Sequence, residues 1–415
     1  MRGKLTIYIG PNGYGKTKKL NVEYDNKKNS SIFLESEILL TNELKPLNNS
    51  TSTDYFLNEL FNNDNLNIVK NQLLEEGKKS IDTKKEKIKK IVDNILKLNE
   101  STTELDLIKF KNELSLKDMF TIDTKILDLM GSGQKMLLLL DLVLDFNKDN
   151  IFLDEPEKYM QPNLLKILAY KLNTLLKSGK NIYIATHSPK LLSFLNLKID
   201  DIEIINEKRK KNEKEWATKK INLEMAIDSL IKDKNIEEKI IKSKDDNKII
   251  NSKAKSYYDL KLIEKNIISN HKYDFFNALF AKKIIICEGL NDEIFLNWLS
   301  NNEEFDDYSI FKTFGKSIMP VFLEIFKQVS NNVICVFDKD DENNETHKIL
   351  NQYLIKSCIK NCLIFNKNLE SELGYNGEKY DFLDFISFLE NNCNNIKNKY
   401  INIVFEKIGD TNETN

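Results

Sequence analysis

A glycine-rich run near the N-terminus has the residue types and spacing of a phosphate-binding loop. Residues 10–17 read GPNGYGKT and fit the pattern G-x-x-x-x-G-K-[ST] between an apolar strand at 4–9 and a helical stretch. The glycines allow main-chain amides to surround phosphates, Lys16 supplies a positive charge, and Thr17 supplies a hydroxyl for Mg²⁺. The sequence therefore predicts a nucleotide site. Its candidate residues in this run are Asn12, Gly13, Gly15, Lys16 and Thr17.

Two later strand ends carry side chains that suit nucleotide hydrolysis. Asp154 and Glu155 follow the apolar strand 150–153, where the first acid can hold Mg²⁺ through water and the second can polarise the attacking water. His187 follows the strand 181–185, within reach of a γ-phosphate. Taken alone, the acids could cap a helix and the histidine could be structural. Together with the glycine-rich run they favour a hydrolytic site in which Glu155 and His187 are catalytic and Asp154 binds the metal and the nucleotide.

A second group of acids lies in the C-terminal part of the sequence. Glu288 follows an apolar run and precedes Asp292 by four residues, while Asp338 and Asp340 follow another apolar run. Because neighbouring parallel strands end at one edge of a sheet, these acids are expected to converge. Clustered carboxylates repel one another unless a divalent cation binds them, and Mg²⁺ or Mn²⁺ prefers oxygen ligands. Two such metals could flank a phosphodiester. The alternative is that the acids are surface turns and helix caps.

The first group of motifs resembles the ABC-type ATPase head of the SMC, RecF and OLD group. Residues 152–157 (FLDEPE), with Gln161-Pro162 after them, are similar to the OLD and related ATPases. Residues 131–134 (GSGQ), ahead of an apolar helix, resemble a shortened signature loop. The resemblance implies that Ser132 and the Gly133 amide face the γ-phosphate bound by a partner protomer. It implies a homodimer or higher homo-oligomer that sandwiches ATP, a design that needs no arginine finger and suits a sequence with only two arginines.

The second group resembles the TOPRIM domain, in which E-G-x-x-D follows one strand and D-x-D follows a later one. The resemblance covers about residues 281–375, and Phe314-Gly315-Lys316 lies where OLD-type relatives carry a Gly-Lys pair. Residues 369–373 (LESEL) resemble the downstream acidic motif of that family, which implies second-metal ligands there. Glu288, Asp338 and Asp340 are the expected catalytic acids. The implied metal ligands are Glu288, Asp292, Asp338, Asp340, Glu370 and Glu372.

Strands alternate with helices around both groups, which predicts an α/β fold with parallel sheets. Apolar residues spaced seven apart within 66–99 indicate a helical arm. The resulting fold class is an ABC/SMC-like P-loop ATPase head with a helical arm, a helical connector and a C-terminal TOPRIM α/β domain. The predicted domains are an ATPase domain at 1–205 with a helical insertion at about 66–120, a connector at 206–280, a TOPRIM domain at 281–390, and an Asn-rich tail at 391–415 that we expect to fray.

The composition limits the classes of protein that this chain can belong to. With 62 Lys and Arg against 64 Asp and Glu in 415 residues, the net charge is −2, which argues against a polycation that coats nucleic acid. A hydrophobic fraction of 41% and a charged fraction of 30% are typical of a globular protein. The five cysteines show no paired spacing of a zinc ribbon. The sequence shows no signal peptide and no apolar run of membrane-spanning length, so we expect a cytoplasmic protein with no membrane partner.

The two resemblances together match the architecture of OLD-family proteins. They imply an ATP-controlled, divalent-metal-dependent endonuclease that cuts or nicks DNA in bacterial anti-phage defence, with ATP and Mg²⁺ as cofactors, or Mn²⁺ at the TOPRIM site. DNA is the favoured nucleic-acid partner, RNA stays open, and so does an operon-encoded partner protein. Two alternatives remain. One is a defence ATPase with a TOPRIM toxin that cuts RNA such as tRNA, as in PARIS-type systems. The other is a non-catalytic, ATP-gated DNA-binding clamp.

Overall fold

The computed structural model of the chain divides into two compact units. The first comprises residues 1–8 and 16–197, and the second comprises residues 9–15 and 198–415. The structure describes residues 2–34, 86, 90, 108–110, 120–122, 130–143, 148–205, 216, 218–241, 252–300, 308–340, 344–358, 361–377 and 381–400. Most of the predicted helical arm lies outside these ranges.

The first unit contains a parallel sheet with helices between its strands. Its strands pair in the spatial order β2-β5-β6-β1, and all the pairings are parallel. All five residues of β1 are buried, as expected for a strand covered by helices on both faces. The elements in chain order are β1 (Leu5–Ile9), α1 (Lys16–Lys27), β2 (Ser31–Leu34), β3 (Ile108–Phe110), β4 (Phe120–Ile122), α2 (Ser132–Val143), β5 (Asn150–Asp154), α3 (Pro162–Lys177), β6 (Asn181–Ala185) and α4 (Pro189–Phe194).

The helices of this unit begin and end where local chemistry favours it. Pro162 opens α3, where the missing N–H of proline costs nothing, and the apolar residues of α3 recur at helical spacing and are buried. Ser188 caps α4, because its side chain accepts a hydrogen bond from the main-chain N–H of Leu191 at 3.0 Å. These helices hold the carboxyl ends of β5 and β6 in place, and the candidate residues follow those ends.

The predicted helical insertion at 66–120 contains two strands. β3 and β4 pair antiparallel, with Ile108 opposite Ile122. Both are only three residues long, too short for an alternating pattern to stand out in the sequence. The expectation of a helical insertion at about 66–120 is wrong at Ile108–Phe110, and β4 begins where the expected insertion ends. The residues of the heptad pattern within 66–99 lie outside the described part of the chain, in which Glu86 and Lys90 are helical.

The second unit contains another parallel sheet, in the order β11-β10-β8-β9. The helix Met319–Phe326 of this unit is apolar except for Glu324, and its other residues are all buried, as expected for a helix surrounded by protein. The main elements are β7 (Ile202–Ile204), α5 (Leu223–Ile231), α6 (Ile263–Asn270), α7 (Lys272–Phe280), β8 (Lys283–Cys287), α8 (Leu290–Ser300), β9 (Tyr308–Lys312), α9 (Met319–Phe326), β10 (Val333–Asp338), α10 (Glu345–Cys358), β11 (Cys362–Phe365), α11 (Leu369–Leu373) and α12 (Phe382–Asn391).

The structure agrees with the helical connector predicted at 206–280 but not with fraying at the start of the predicted tail. The described part of the connector is mainly helical, with α5, α6 and α7. The start of the tail, in contrast, does not fray, because residues 393–400 are helical and bury Ile396 and Tyr400 in the core. The ring of Tyr400 lies 5.6 Å from that of Phe295, centroid to centroid. The high asparagine content of the tail suggested fraying, but Ile396 and Tyr400 are four residues apart and therefore lie on one face of the helix.

None of the described helices is both long enough and apolar enough to cross a membrane.

Candidate functional site

The glycine-rich run forms a tight loop between β1 and α1. Gly13 and Gly15 have φ values of 78° and 102°, which glycine adopts without strain. Asn12 and Gly13 are exposed, so their main-chain amides are accessible to a phosphate. A Cβ on Gly15 would lie 2.5 Å from Nε1 of Trp216, so the indole fills the space beside this glycine.

Lys16 and Thr17 begin α1 and face the acids at the end of β5. The Thr17 hydroxyl donates a hydrogen bond to Oδ1 of Asp154 at 2.9 Å, which places the two predicted Mg²⁺ ligands side by side. Lys16 is buried, and burial lowers its pKa to about 8, although the nearby acids, led by Glu155, raise it. A bound triphosphate would add negative charge and favour the protonated lysine.

The two predicted catalytic residues of this site are in contact. Nε2 of His187 lies 3.1 Å from Oε1 of Glu155. Glu155 has a φ of 44°, and its N–H donates to the carbonyl of Ala185 at 2.8 Å, which ties it to the end of β6. Burial lowers the pKa of His187, and so does the charge of Lys16, while Glu155 opposes them. These effects favour a neutral imidazole that can exchange a proton with the carboxylate.

Glu157 is a residue of this site that the sequence reasoning did not single out. Its Oε1 accepts hydrogen bonds from the hydroxyl of Thr186 and, at 3.0 Å, from the main-chain N–H of His187. Burial raises the pKa of Glu157. The carboxylate therefore positions the loop that carries His187. The sequence feature that could have indicated this role is the presence of a second glutamate two residues after Glu155.

The predicted signature loop lies at the start of α2. Ser132 is exposed, whereas Gly133 is buried, and a Cβ on Gly133 would lie 2.9 Å from Cγ of Met160. The main-chain N–H of Gly131 donates to Oε1 of Gln134 at 3.0 Å, which fixes the turn. The contact of Ser132 and Gly133 with a γ-phosphate in a partner protomer stays a prediction.

In the second unit, the carboxyl ends of β8 and β10 bring the predicted acids together. Oε1 of Glu288 accepts a hydrogen bond from the main-chain N–H of Asp338 at 2.9 Å. Oδ1 of Asp338 in turn accepts from the N–H of Leu369 at 3.0 Å. Oδ2 of Asp292 accepts from the N–H of Gly289 at 2.8 Å. The parallel register of β8 and β10 therefore produces the convergence that the sequence predicts.

Burial and mutual repulsion act on the protons of these acids. Burial raises the pKa of Glu288 to about 7, and burial together with the neighbouring acids raises the pKa of Asp338 to about 8. The pKa of Asp292 is raised to about 7 by burial and by Glu288. Carboxylates held this close together are stabilised as anions when a positive charge lies among them.

Lys316 supplies such a charge, and the sequence reasoning gave it no role beyond the Gly-Lys pair. Its Nζ lies 2.5 Å from Oδ2 of Asp340 and 3.5 Å from Oε1 of Glu288, and it donates to the main-chain carbonyl of Asp338. The side chain is 5% exposed. The buried ammonium therefore offsets the negative charge of Glu288 and Asp340 within the acid cluster.

The candidate metal ligands fit a divalent cation in kind. Within the described part of the chain, however, no group of three His, Cys, Asp or Glu side chains is arranged to hold a metal ion. Glu288 and Asp340 instead pair with Lys316. The all-oxygen donor set and the raised pKa values suit Mg²⁺ or Mn²⁺, and a bound cation would lower those pKa values.

The two downstream acids are placed differently. Oε1 of Glu370 accepts a hydrogen bond from Nδ2 of Asn291 at 2.6 Å, and the charge of Glu370 helps to raise the pKa of Asp338, so it lies at the cluster. Oε1 of Glu372 lies 3.5 Å from Nζ of Lys399, in an ion pair that no other cluster member shares. The expectation that both are second-metal ligands stays a prediction, and the geometry favours Glu370.

Part of the second unit is similar to a known protein family. The family model "Overcoming lysogenization defect protein-like, TOPRIM domain" matches residues 279–340, the stretch from the end of α7 to Asp340. The chain carries an OLD-like TOPRIM domain. The predicted TOPRIM domain is thereby confirmed over residues 279–340, Glu370 lies beyond the match, and the roles of the acids stay predictions. No curated protein matches the chain by sequence.

Several solved structures with similarity to the chain are ATP-binding cassettes of ABC transporters. A nucleotide-free cassette has 16% identity and a TM-score of 0.29 over 57% of this chain and 88% of that one. A cassette in its ADP conformation has 18% identity and a TM-score of 0.27 over 49% and 76%. A dimeric cassette bound to ADP and Pi has 16% identity and a TM-score of 0.29 over 50% and 82%.

Proposed function

We propose that the protein is an ATP-controlled, divalent-metal-dependent endonuclease that cuts or nicks DNA, acting in bacterial anti-phage defence. The observation that carries the proposal is the convergence of Glu288, Asp338 and Asp340 around the ammonium of Lys316 at one edge of the OLD-like TOPRIM sheet. A scaffold has no need of three partly repelling acids at such a position, since their burial raises the free energy of the folded chain.

The chemistry of phosphodiester hydrolysis gives each of these residues a role. A divalent cation bound at this site would supply an activated water and stabilise the leaving oxygen. Glu288, Asp338 and Asp340 would hold it, with Asp292 and Glu370 behind them. Lys316 would donate to a phosphate oxygen as negative charge develops there. Asn291 orients Glu370 through the hydrogen bond between their side chains.

The residues of the first unit support control by ATP. Lys16 would neutralise the triphosphate, and Thr17 with Asp154 would hold its Mg²⁺. Glu155 would take the proton from the attacking water, with His187 beside it. In this proposal Ser132 and Gly133 reach the ATP of a second protomer, so that the nucleotide state sets the geometry of the dimer. That geometry then controls access of the nucleic acid to the TOPRIM site.

Cleavage of supercoiled plasmid tests the proposal most directly. The purified chain is incubated with Mg²⁺ or Mn²⁺, with and without ATP, beside Asp338→Ala and Glu345→Ala, the latter an exposed acid of the same unit. We expect nicking that EDTA stops, that Asp338→Ala abolishes and that Glu345→Ala retains. EDTA-sensitive cleavage that survives in Asp338→Ala contradicts the assigned chemistry. Cleavage of tRNA but not plasmid in the same panel replaces DNA by RNA as the substrate.

A further inference from the structure

Phe314 is an exposed aromatic residue in a strained conformation next to the acid cluster. Its φ is 60°, in the left-handed region that bulky side chains rarely adopt, and its side chain is 63% exposed. Of the three other described non-glycine residues with positive φ, Glu155 and Asp340 are candidate catalytic residues and Tyr159 is not. Strain of this kind persists only where the surrounding structure enforces it, and it concentrates at functional sites.

Hydrogen bonds on both sides of Phe314 enforce the conformation. The N–H of Thr313 donates to the carbonyl of Cys287, and the N–H of Gly315 donates to the carbonyl of Glu288, both at 3.0 Å. The loop is thereby fixed to the strand end that carries the catalytic acid. Two residues later, Lys316 enters the acid cluster. The phenyl ring is therefore held in a defined position beside the site where a phosphodiester would be cleaved.

The surroundings of the ring leave most of it accessible. The ring centroid lies 5.6 Å from that of His271 at a tilt of 40°, and Nζ of Lys312 lies 4.8 Å from it. These contacts leave the side chain of Phe314 largely exposed. Hydrophobic burial does not explain why a strained position carries a phenylalanine, since glycine would adopt the same φ without cost and would expose no apolar surface.

We propose that Phe314 is a stacking platform for an unpaired nucleobase of the substrate strand, adjacent to the phosphodiester held at Glu288, Asp338 and Lys316. Every nucleobase has a flat apolar face that stacks on an aromatic ring, and this contact tolerates any sequence. The enforced φ presents the ring without loss of side-chain and loop entropy on binding. The inference rests on the proposed function, because it requires a nucleic-acid substrate at the acid cluster.

Binding is measured separately from cleavage, in an Asp338→Ala background, with single-stranded DNA and RNA oligonucleotides that contain 2-aminopurine. We expect the fluorescence of 2-aminopurine to be quenched on binding, and Phe314→Leu and Phe314→Gly to weaken affinity by about 5- to 150-fold and to remove the quenching. Phe314→Tyr should retain both. Tyr273→Ala, which removes an exposed aromatic ring of α7, is the matched control and should bind normally.

Phe314→Gly also separates a binding role from a structural one. Because glycine relieves the strain at a φ of 60°, this variant should melt at the same temperature as the parent or higher. A lowered melting temperature, or affinity within about twofold of the parent in both Phe314→Leu and Phe314→Gly, overturns the proposal. Failure of the nuclease proposal looks different: the Asp338→Ala chain then quenches 2-aminopurine, but the chain with Asp338 intact cleaves neither DNA nor RNA. A parent that binds neither oligonucleotide overturns the stacking proposal.

Discussion

Nε2 of His187 lies 3.1 Å from Oε1 of Glu155, although 32 residues separate them in the sequence. The contact exists because both follow parallel strands, β5 and β6, that end at one edge of the sheet. Lys16 and Thr17 open the helix after β1, which ends at the same edge. In the proposed function, this acid and imidazole, beside Lys16, would accept a proton at the position where a γ-phosphate is attacked.

The first prediction concerns Glu155. Glu155→Gln keeps the shape and hydrogen-bonding reach of the side chain but removes its basicity. We expect ATP hydrolysis to fall by about 10²- to 10⁴-fold, with ATP affinity changed by only a few-fold. Phosphate release and equilibrium nucleotide binding measure the two quantities. Glu23→Gln, an acid of α1 that pairs with Lys19, serves as the control and should hydrolyse ATP normally. Normal turnover in Glu155→Gln would exclude it as the base.

The second prediction concerns Glu157, which holds the loop that carries His187. Glu157→Ala removes the acceptor for Thr186 and for the N–H of His187, and leaves two donors without their partner. We expect ATP hydrolysis to fall by about tenfold or more, with Glu157→Gln less affected because its amide oxygen still accepts. In a His187→Ala background the further loss from Glu157→Ala should be small, since the two residues act together. Additive losses would show that Glu157 acts independently of His187.

The strand ends could be predicted from sequence because a short apolar run followed by an acid or a glycine marks them. The apolar run that precedes Asp338 forms the strand Val333–Asp338, and Glu288 and Asp338 converge as expected for neighbouring parallel strands that end at one edge of a sheet. The contacts of Lys316 with Glu288 and Asp340 could not be predicted from the sequence, because the spacing of these residues along the chain does not indicate that the lysine lies between two strand ends. The asparagine-rich composition of the tail led to a wrong prediction of fraying, because it did not reveal that Ile396 and Tyr400 pack in the core.

A third prediction uses Trp216 as a reporter. Its indole Nε1 would lie 2.5 Å from a Cβ on Gly15, so it is adjacent to the main chain of the phosphate-binding loop. Phosphate charges at this loop should change the field at the indole. In Trp298→Phe, which leaves Trp216 as the single tryptophan, we expect ATP to produce a saturable change in emission. Its half-saturation should equal the Kd from equilibrium binding.

Two variants complete that experiment. Lys16→Ala in the Trp298→Phe background should lose ATP affinity and show no change in emission at the same ATP concentrations, because the charge that binds the triphosphate is gone. Trp216→Phe, which leaves Trp298 alone, should bind ATP without a change in emission. Unchanged ATP binding in Lys16→Ala would contradict the assignment of the loop, and a response from Trp298 would contradict the assignment of the reporter.

The last prediction is a pH dependence of stability set by the acid cluster. In the unfolded chain Asp338 and Glu288 have pKa values near 3.8 and 4.5, whereas burial raises them to about 8 and about 7 in the folded chain. Between about pH 5 and pH 8 the unfolded state has therefore released protons that the folded state retains, so the free energy of unfolding falls as pH rises. The stabilisation of the folded state by these two protonated acids is complete below about pH 4, and it is lost as the pH rises through 7 to 8.

Melting temperatures measured in EDTA from about pH 5.5 to about pH 8.5 should decline accordingly. Added Mg²⁺ should restore stability more at the upper end, because a cation favours the ionised acids and binds the folded state. Asp338→Asn removes one of these protons and should flatten the decline and reduce the recovery by Mg²⁺, whereas Glu345→Gln should keep both. A decline of full slope in Asp338→Asn would show that other groups carry the pH dependence. A recovery by Mg²⁺ of equal size in Asp338→Asn would place the cation elsewhere than at Asp338.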